Sequence, residues 1–332
     1  MKERSGASGR VTRREFLGSM AAMAALSVVP GSVFARQTGN LRSNFGGVHI
    51  GTITYSYRSM PDQSAEGILG YVVDSGLSSI ELMGGPAEEY AGAPTMERPN
   101  FQRGQQITQA QRQQMQTARQ AYANELSKWR QSVSMDKYRD LRKMYNDSGV
   151  HIYIIKFSDL NENMPAGEID YCFNVAKTLG AKGITTELSL EKAKVLGPYA
   201  DKHNLMLAFH NHTQVNPNSW EEPLSYGRYL GMNFDIGHYV AGTNLSDIPI
   251  IERYDDDERI LSLHIKDRKV NNGPNMPFGQ GDTPLSLTLL HLKRTQSKIQ
   301  PHIELEYPVP EGSDAVTEVR KCVEFCKEVL TA

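Results

Sequence analysis

Eight short runs of β-branched or apolar residues, most of them followed by a helical pattern, constrain this chain more than any other feature. They are Val48–Tyr55, Ser79–Met83, Val150–Phe157, Gly183–Leu188, Leu205–His212, Met232–Ile236, Ile260–Ile265 and His302–Tyr307. Helical patterns cover Ala65–Ser75, Glu168–Leu179, Ser189–Lys202, Leu285–Lys293 and Asp314–Leu330. Gly76, Gly149 and Gly180 each stand between a helical pattern and the next strand, as left-handed helix stops. Repeated strand–helix units imply a parallel sheet with right-handed crossovers. Eight such units predict an α/β fold, a (β/α)8 TIM barrel. No G-x-G-x-x-G follows the first strand and no G-x-x-x-x-G-K-[ST] occurs, so nothing points to a doubly wound nucleotide-binding sheet.

The strand ends fall near residues 54, 82, 155, 187, 211, 235, 264 and 305. Most gaps are 24 to 41 residues, but the second is 73. The loop after strand two therefore carries an insertion of roughly 40 residues, over about 86–133. Nine Gln among the 19 residues Gln102–Gln120 read as solvated helix. In a barrel this loop lies on the active face, so the insertion reads either as a polar helix pair or as a lid.

The first 35 residues read as a leader. Basic residues precede Thr12-Arg13-Arg14-Glu15-Phe16-Leu17, an apolar run from Gly18 to about Val29 follows, and Val33-Phe34-Ala35 offers a small-residue cleavage site. The run is too short for a membrane span. The paired arginines look like a twin-arginine export signal. No Cys follows at a lipid-attachment position, so a soluble periplasmic or extracellular protein is expected, with residues 36–332 as the barrel. Cleavage after Ala35 would leave a net charge of -5, against -2 for the whole chain. That balance lacks the basic face that nucleic acid requires. A hydrophobic content of 39% with 22% charged residues excludes a disordered chain. Cys172, Cys322 and Cys326 are too few for a disulfide framework and read as packing residues.

Function in such a barrel collects at the C-terminal ends of the strands. Here strand four ends in Glu187, five in His210-Asn211-His212, six in Asp235-Ile236-Gly237-His238, seven in His264-Ile265-Lys266-Asp267, and eight in Glu304-Leu305-Glu306. Period two places His210 with His212, His264 with Lys266, and Glu304 with Glu306 on common faces. An acid or His at the end of an apolar strand is costly to bury unless paired or metal-bound. Five on consecutive strands point to one divalent ion. Asp235, His264 and Glu306 are the expected firm ligands, with the fourth from His210, His212 or Glu187. Imidazole mixed with carboxylate suits Mn, Zn, Co or Fe. Manganese is favoured, with zinc, cobalt and magnesium the alternatives.

These residues resemble the xylose isomerase-like TIM-barrel superfamily, the sugar phosphate isomerase/epimerase group that also contains endonuclease IV. The carrying motifs are Leu207-Ala208-Phe209-His210-Asn211-His212, Phe234-Asp235-Ile236-Gly237-His238, Leu263-His264-Ile265-Lys266-Asp267 and Ile303-Glu304-Leu305-Glu306-Tyr307-Pro308. The likeness spans about residues 46–330. It implies metal ligands from a Glu on strand five, an Asp on six, a His on seven and a Glu on eight, and the last three match Asp235, His264 and Glu306. His238 matches a histidine beside the substrate. Strand five departs from the pattern, because His210 stands where the Glu would be. The family's acid/base pair of strand-five and strand-eight carboxylates is therefore incomplete, and Glu187 is the nearest replacement. Strand three ends in Lys156, without the extra histidines that endonuclease IV needs.

A divalent ion polarises a sugar carbonyl, and a neighbouring base then removes the α-proton. The candidates for that proton are Glu187, Glu306, His238, Lys156 and Lys266, a lysine beside cations being able to lose its proton more easily. Asn211, Asp267 and Gln280 are the expected substrate contacts, and Trp220 and Tyr226 could stack on a sugar. Isomerase or epimerase is the first reading. A 3-keto-glycoside lyase or hydrolase is the close alternative. A non-catalytic periplasmic sugar-binding or accessory protein is the alternative of another class. The expected partner is a small carbohydrate, with no nucleic acid, no stable membrane anchor after cleavage, and a homo-oligomer left open.

Overall fold

The computed structural model describes residues 43–96, 108–256 and 258–332. The expected leader lies outside the described residues, as do residues 97–107 of the insertion. Eight strands form a closed barrel: β1 (Gly51–Ile53), β2 (Ser79–Met83), β3 (His151–Lys156), β4 (Gly183–Glu187), β5 (Met206–His210), β6 (Leu230–Asp235), β7 (Ile260–Ile265) and β8 (Gln300–Ile303). Each pairs in parallel with its neighbour in sequence, and β8 closes on β1.

The outer strands differ from their sequence reading. Val48–His49 leaves the barrel to pair with Asn44–Phe45, and Thr54–Tyr57 turns into a 3-10 helix. At the other end, residues 304–307 run on from β8 outside the sheet. Gly76, Gly149 and Gly180 all take positive φ, as helix stops do.

The helices used below are α1 (Gln109–Arg130), α2 (Ala166–Leu179), α3 (Ile236–Thr243), α4 (Ile248–Asp255) and α5 (Leu285–Thr295). The main core lies between sheet and helices, while Ile154, Ala208 and Leu261 form a separate apolar cluster. Ala208 shares the face of His210 one pleat earlier, so this cluster fills the barrel below the polar strand ends.

The insertion contributes α1, which starts on a capping box between Thr108 and Gln111. Only Leu126 and Arg130 of this helix are buried. Arg130 places its guanidinium 2.7 Å from Glu88, 2.7 Å from Asp159 and 3.3 Å from Glu168. The last turn of α1 is thereby fixed to the short helix after β2 (Gly84–Tyr90), to the loop after β3 and to α2. Among the described residues no helix is long and apolar enough to cross a membrane.

Asp247 stands at the N-cap position of α4, fully buried, but its side chain makes no capping hydrogen bond. One carboxylate oxygen accepts from Thr288 Oγ1 on α5 at 2.7 Å, and the other has no hydrogen-bond partner. Burial pushes its pKa up from 3.8 to about 6. Between those values the folded chain holds a proton that the unfolded chain has lost, so stability falls as pH rises and the full penalty stands above pH 6. Asp247→Asn should therefore raise the melting temperature at pH 7.5, worth on the order of 2–3 kcal/mol, with the gain fading near pH 4. Calorimetry at both pH values checks this, and an equal gain at both would exclude ionisation as the cause.

Candidate functional site

Barrel closure decides which strand ends meet. In the hydrogen-bond register His210 pairs with Asn233, Asp235 with His264, and His264 with His302. A closed eight-stranded barrel staggers by about one residue per strand, and because side chains alternate, the stagger appears as two residues on every second strand. From His210 the level therefore passes to Asp235, two beyond Asn233. It continues to His264 and then to Glu304, two beyond His302. Ligand atoms of His210, Asp235, His264 and Glu304 all lie within 4.8 Å of one another, and all four residues are buried.

Glu306 was the carboxylate expected here, but it stands one pleat too high. Its Oε2 accepts from Lys266 Nζ at 2.7 Å and from Asn275 Nδ2 at 3.4 Å. Of the three candidates for the fourth ligand, His210 joins the cluster. Glu187 instead lies 3.0 Å from Lys156 Nζ and 3.7 Å from His212 Nε2. His212 is exposed and groups with His210 and His238 at the rim.

The buried donors fit a divalent cation of intermediate hardness. Asp235 Oδ1 caps α3 by accepting the His238 N–H at 2.7 Å, while its buried Oδ2 has no hydrogen-bond partner. That oxygen is 2.9 Å from Lys266 Nζ, which is also 2.7 Å from Glu304 and 2.7 Å from Glu306. Burial alone would lower the lysine, but Asp235, Glu304 and Glu306 outweigh it and raise its pKa above the ordinary value. Lys266 is thus held charged, contrary to its expected role as a base. His264 lies between Glu81 at 2.7 Å and Glu304 at 2.9 Å. Burial opposes its charge, yet the two carboxylates bring its pKa to about 10. Burial and the nearby Lys156 keep His210 well below its usual value, and so neutral.

His238 does not fit the role of base either. Arg268 donates to Nδ1 at 2.6 Å, while Lys266 Nζ lies 3.1 Å from Nε2. Neither cation can accept, and a neutral imidazole has one lone pair. The shorter contact assigns that lone pair to Nδ1, which makes Nε2–H a donor. Burial, then Lys266, lowers the pKa to about 3 and keeps the ring neutral.

The expected substrate contacts divide. Asn211 is buried and spends its amide on Asp235, accepting from its N–H at 2.9 Å and donating to its carbonyl at 3.0 Å. It pins β5 to β6 and has no group left for a substrate. Asp267 accepts from the N–H groups of Gly281 at 2.8 Å and Thr283 at 3.2 Å, which ties down the loop after β7. A Cβ on Gly281 would come within 1.9 Å of that carboxylate. Gln280 is exposed on the same loop. Trp220 is fully buried against Phe234 and Tyr239 and acts in packing, while Tyr226 is exposed beside Lys194.

Glu81, Asn233, His302 and Arg268 were not anticipated. Glu81, on β2, is fully buried under His264, and with His264 and His302 it forms a second group of clustered ligand atoms. In sequence it is one polar residue inside a short apolar strand, which reads as a solvent-facing alternation.

No protein-family model matches this sequence, and no curated protein matches it significantly. Solved structures share its fold. A probable 3-DHS dehydratase from Bacillus anthracis is 13% identical with a TM-score of 0.56, covering 83% of this chain and 97% of its own. A sugar phosphate isomerase/epimerase from Parabacteroides distasonis is 16% identical with a TM-score of 0.55, covering 86% and 96%. A 3-keto-D-glucoside 4-epimerase from E. coli is 10% identical with a TM-score of 0.55, covering 85% and 99%. The chain thus has the fold of the xylose isomerase-like barrels, and at these identities the likeness extends to the fold alone.

The geometry separates Glu304 from Glu306 experimentally. In a Co2+ titration followed by absorbance, Glu304→Gln should lose at least tenfold in affinity, while Glu306→Gln stays within a few fold of the parent. The reverse order would restore Glu306 as the ligand.

Proposed function

We propose that this protein is a divalent-metal-dependent enzyme that moves a proton next to a carbonyl on a carbohydrate, as a sugar isomerase or epimerase. The observation that carries this reading is the buried cluster of His210, Asp235, His264 and Glu304 on four adjacent strands. An ion held there, manganese by preference for its tolerance of mixed nitrogen and oxygen donors, would supply Lewis acidity at the carbonyl oxygen.

The chain's own groups divide the remaining work. Every contact described for Glu306 is made through Oε2, which leaves Oε1 to take the α-proton. Lys266, fixed among three carboxylates, donates to Glu306 Oε2 and holds that carboxylate in place. His238 offers its Nε2–H to a substrate oxygen and holds that donor role because Arg268 occupies its other nitrogen. Glu187 stands at the end of β4, diametrically across the barrel from β8. Two carboxylates on opposite sides of the mouth can address opposite faces of one sugar ring, as epimerisation requires. Each is paired with a lysine, Glu187 with Lys156 and Glu306 with Lys266.

A keto-glycoside is the second substrate class, since loss of a β-leaving group follows from the same proton abstraction. The fold likeness to a 3-keto-D-glucoside 4-epimerase favours including it.

Proton exchange in deuterated water tests the reading. Protein supplied with Mn2+ and a panel of free sugars, 3-keto sugars and 3-keto-glycosides should place deuterium at a carbon beside a carbonyl, and Glu306→Gln should lower that rate at least 100-fold. The products separate epimerase, isomerase and lyase. Metal bound without exchange from any of these substrates would favour a sugar-binding protein instead.

We also propose export by the twin-arginine route to the periplasm or beyond. Replacing Arg13 and Arg14 by Lys should leave the uncleaved precursor in the cytoplasm of a bacterial host. Continued export of the double variant would overturn that route.

A further inference from the structure

Glu81 belongs to neither the expected ligand set nor the proton-transfer groups, yet it is fully buried in the barrel beneath them. Its carboxylate accepts three hydrogen bonds. Oε1 accepts from Thr185 Oγ1 at 2.6 Å, and Oε2 accepts from His264 Nε2 at 2.7 Å and from Asn233 Nδ2 at 3.1 Å. We propose that Glu81 is the positioning residue of the cluster, fixing the ring orientation of His264 directly and the tautomer of His210 through Asn233.

The argument is one of donors and acceptors. A carboxylate only accepts, so Asn233 must turn its amide nitrogen toward Glu81. The same nitrogen also donates to Ser262 Oγ at 2.7 Å. The amide oxygen is then the atom that faces His210, 2.9 Å from Nδ1. An oxygen there must receive a proton, so His210 carries its hydrogen on Nδ1 and presents a bare lone pair on Nε2. For His264, donation from Nε2 to Glu81 turns Nδ1 toward Glu304 at 2.9 Å, where it donates a proton that it would give up to a bound cation. One carboxylate thus sets which nitrogen each of the two imidazoles presents to the cluster. A hydrogen-bonded carboxylate behind a ligating histidine orients the ring and raises its basicity. Here one such group serves two rings.

The effect on metal affinity rests on the proposed function, but the ring assignments do not. Two-dimensional 1H–15N NMR of the full chain labelled with 15N-histidine reads protonation nitrogen by nitrogen. Signals of His210 and His264 are assigned from single His→Gln variants. The parent should show His210 protonated on Nδ1 alone. Glu81→Gln, whose amide oxygen can replace Oε2 while its NH2 donates to Thr185, should keep that pattern. Glu81→Leu should give His210 as a mixture of tautomers and remove the His264 Nε2–H signature. Asn233→Leu should shift His210 and leave His264 unchanged, which decides the matter if Glu81→Leu fails to fold.

His210 protonated on Nε2 in the parent, or unaltered in Asn233→Leu, would overturn the proposal. On the proposed function, Glu81→Leu should also weaken Co2+ binding 10–100-fold. A parent that shows the expected tautomers but binds no Co2+ would defeat the metal reading while leaving the role of Glu81 intact.

Discussion

The register of the closed barrel is the constraint on which the rest depends. With β8 paired to β1 there is no free edge along which a strand can slide. A slip of one residue would turn every inward side chain outward, and a slip of two would move a clustered side chain by one pleat, about 6–7 Å along the strand. His210, Asp235, His264 and Glu304 share a level only because the stagger advances two residues at β6 and again at β8. Asn211 reinforces that level locally, since its amide bridges β5 to the backbone of Asp235. The polar face is therefore a consequence of sheet geometry, and the apolar cluster of Ile154, Ala208 and Leu261 lies below it.

Such a level concentrates charge where water is scarce. Glu81, Asp235 and Glu304 are buried, and isolated carboxylates there would cost several kcal/mol each. Two cations answer them, His264 between Glu81 and Glu304, and Lys266 among Asp235, Glu304 and Glu306. Burial alone would neutralise Glu304, but Lys266 and then His264 hold it well below the usual carboxylate range. Most protonation states in the centre are thus locked by their neighbours. At the rim, Glu187 and Glu306 retain solvent contact.

Much of this was legible in the sequence, for identifiable reasons. Strand period, helix stops and regular spacing depend on neighbours in the chain, so the eight-unit barrel could be read directly. His210, Asp235 and His264 are terminal strand residues and could be found the same way. Glu304 and Glu306 share a face, and local periodicity cannot choose between them; the choice lies in the pairing of His264 with His302. Glu81 is harder still, because it meets His264 across 183 residues of chain and only after the barrel closes. Asn211 and Asp267 have the composition of substrate contacts, but their side chains are consumed by backbone groups. His238 lies close to the place expected of it, yet Arg268 removes the lone pair that a base would need.

The insertion follows the same logic of buried charge. Exposed and Gln-rich over most of its length, α1 is anchored by its last turn. Arg130 cannot leave its site cheaply, because departure would strand Glu88 and Glu168 in a buried setting, a loss of about 3–5 kcal/mol for a broken buried pair. Ser127 adds a hydrogen bond to Glu168 at 2.5 Å, and Tyr171 lies under the guanidinium. Since Asp159 follows β3, this anchor stands beside the mouth and a few residues from Lys156, the partner of Glu187. The C-terminal end of the insertion is therefore held fast beside the mouth.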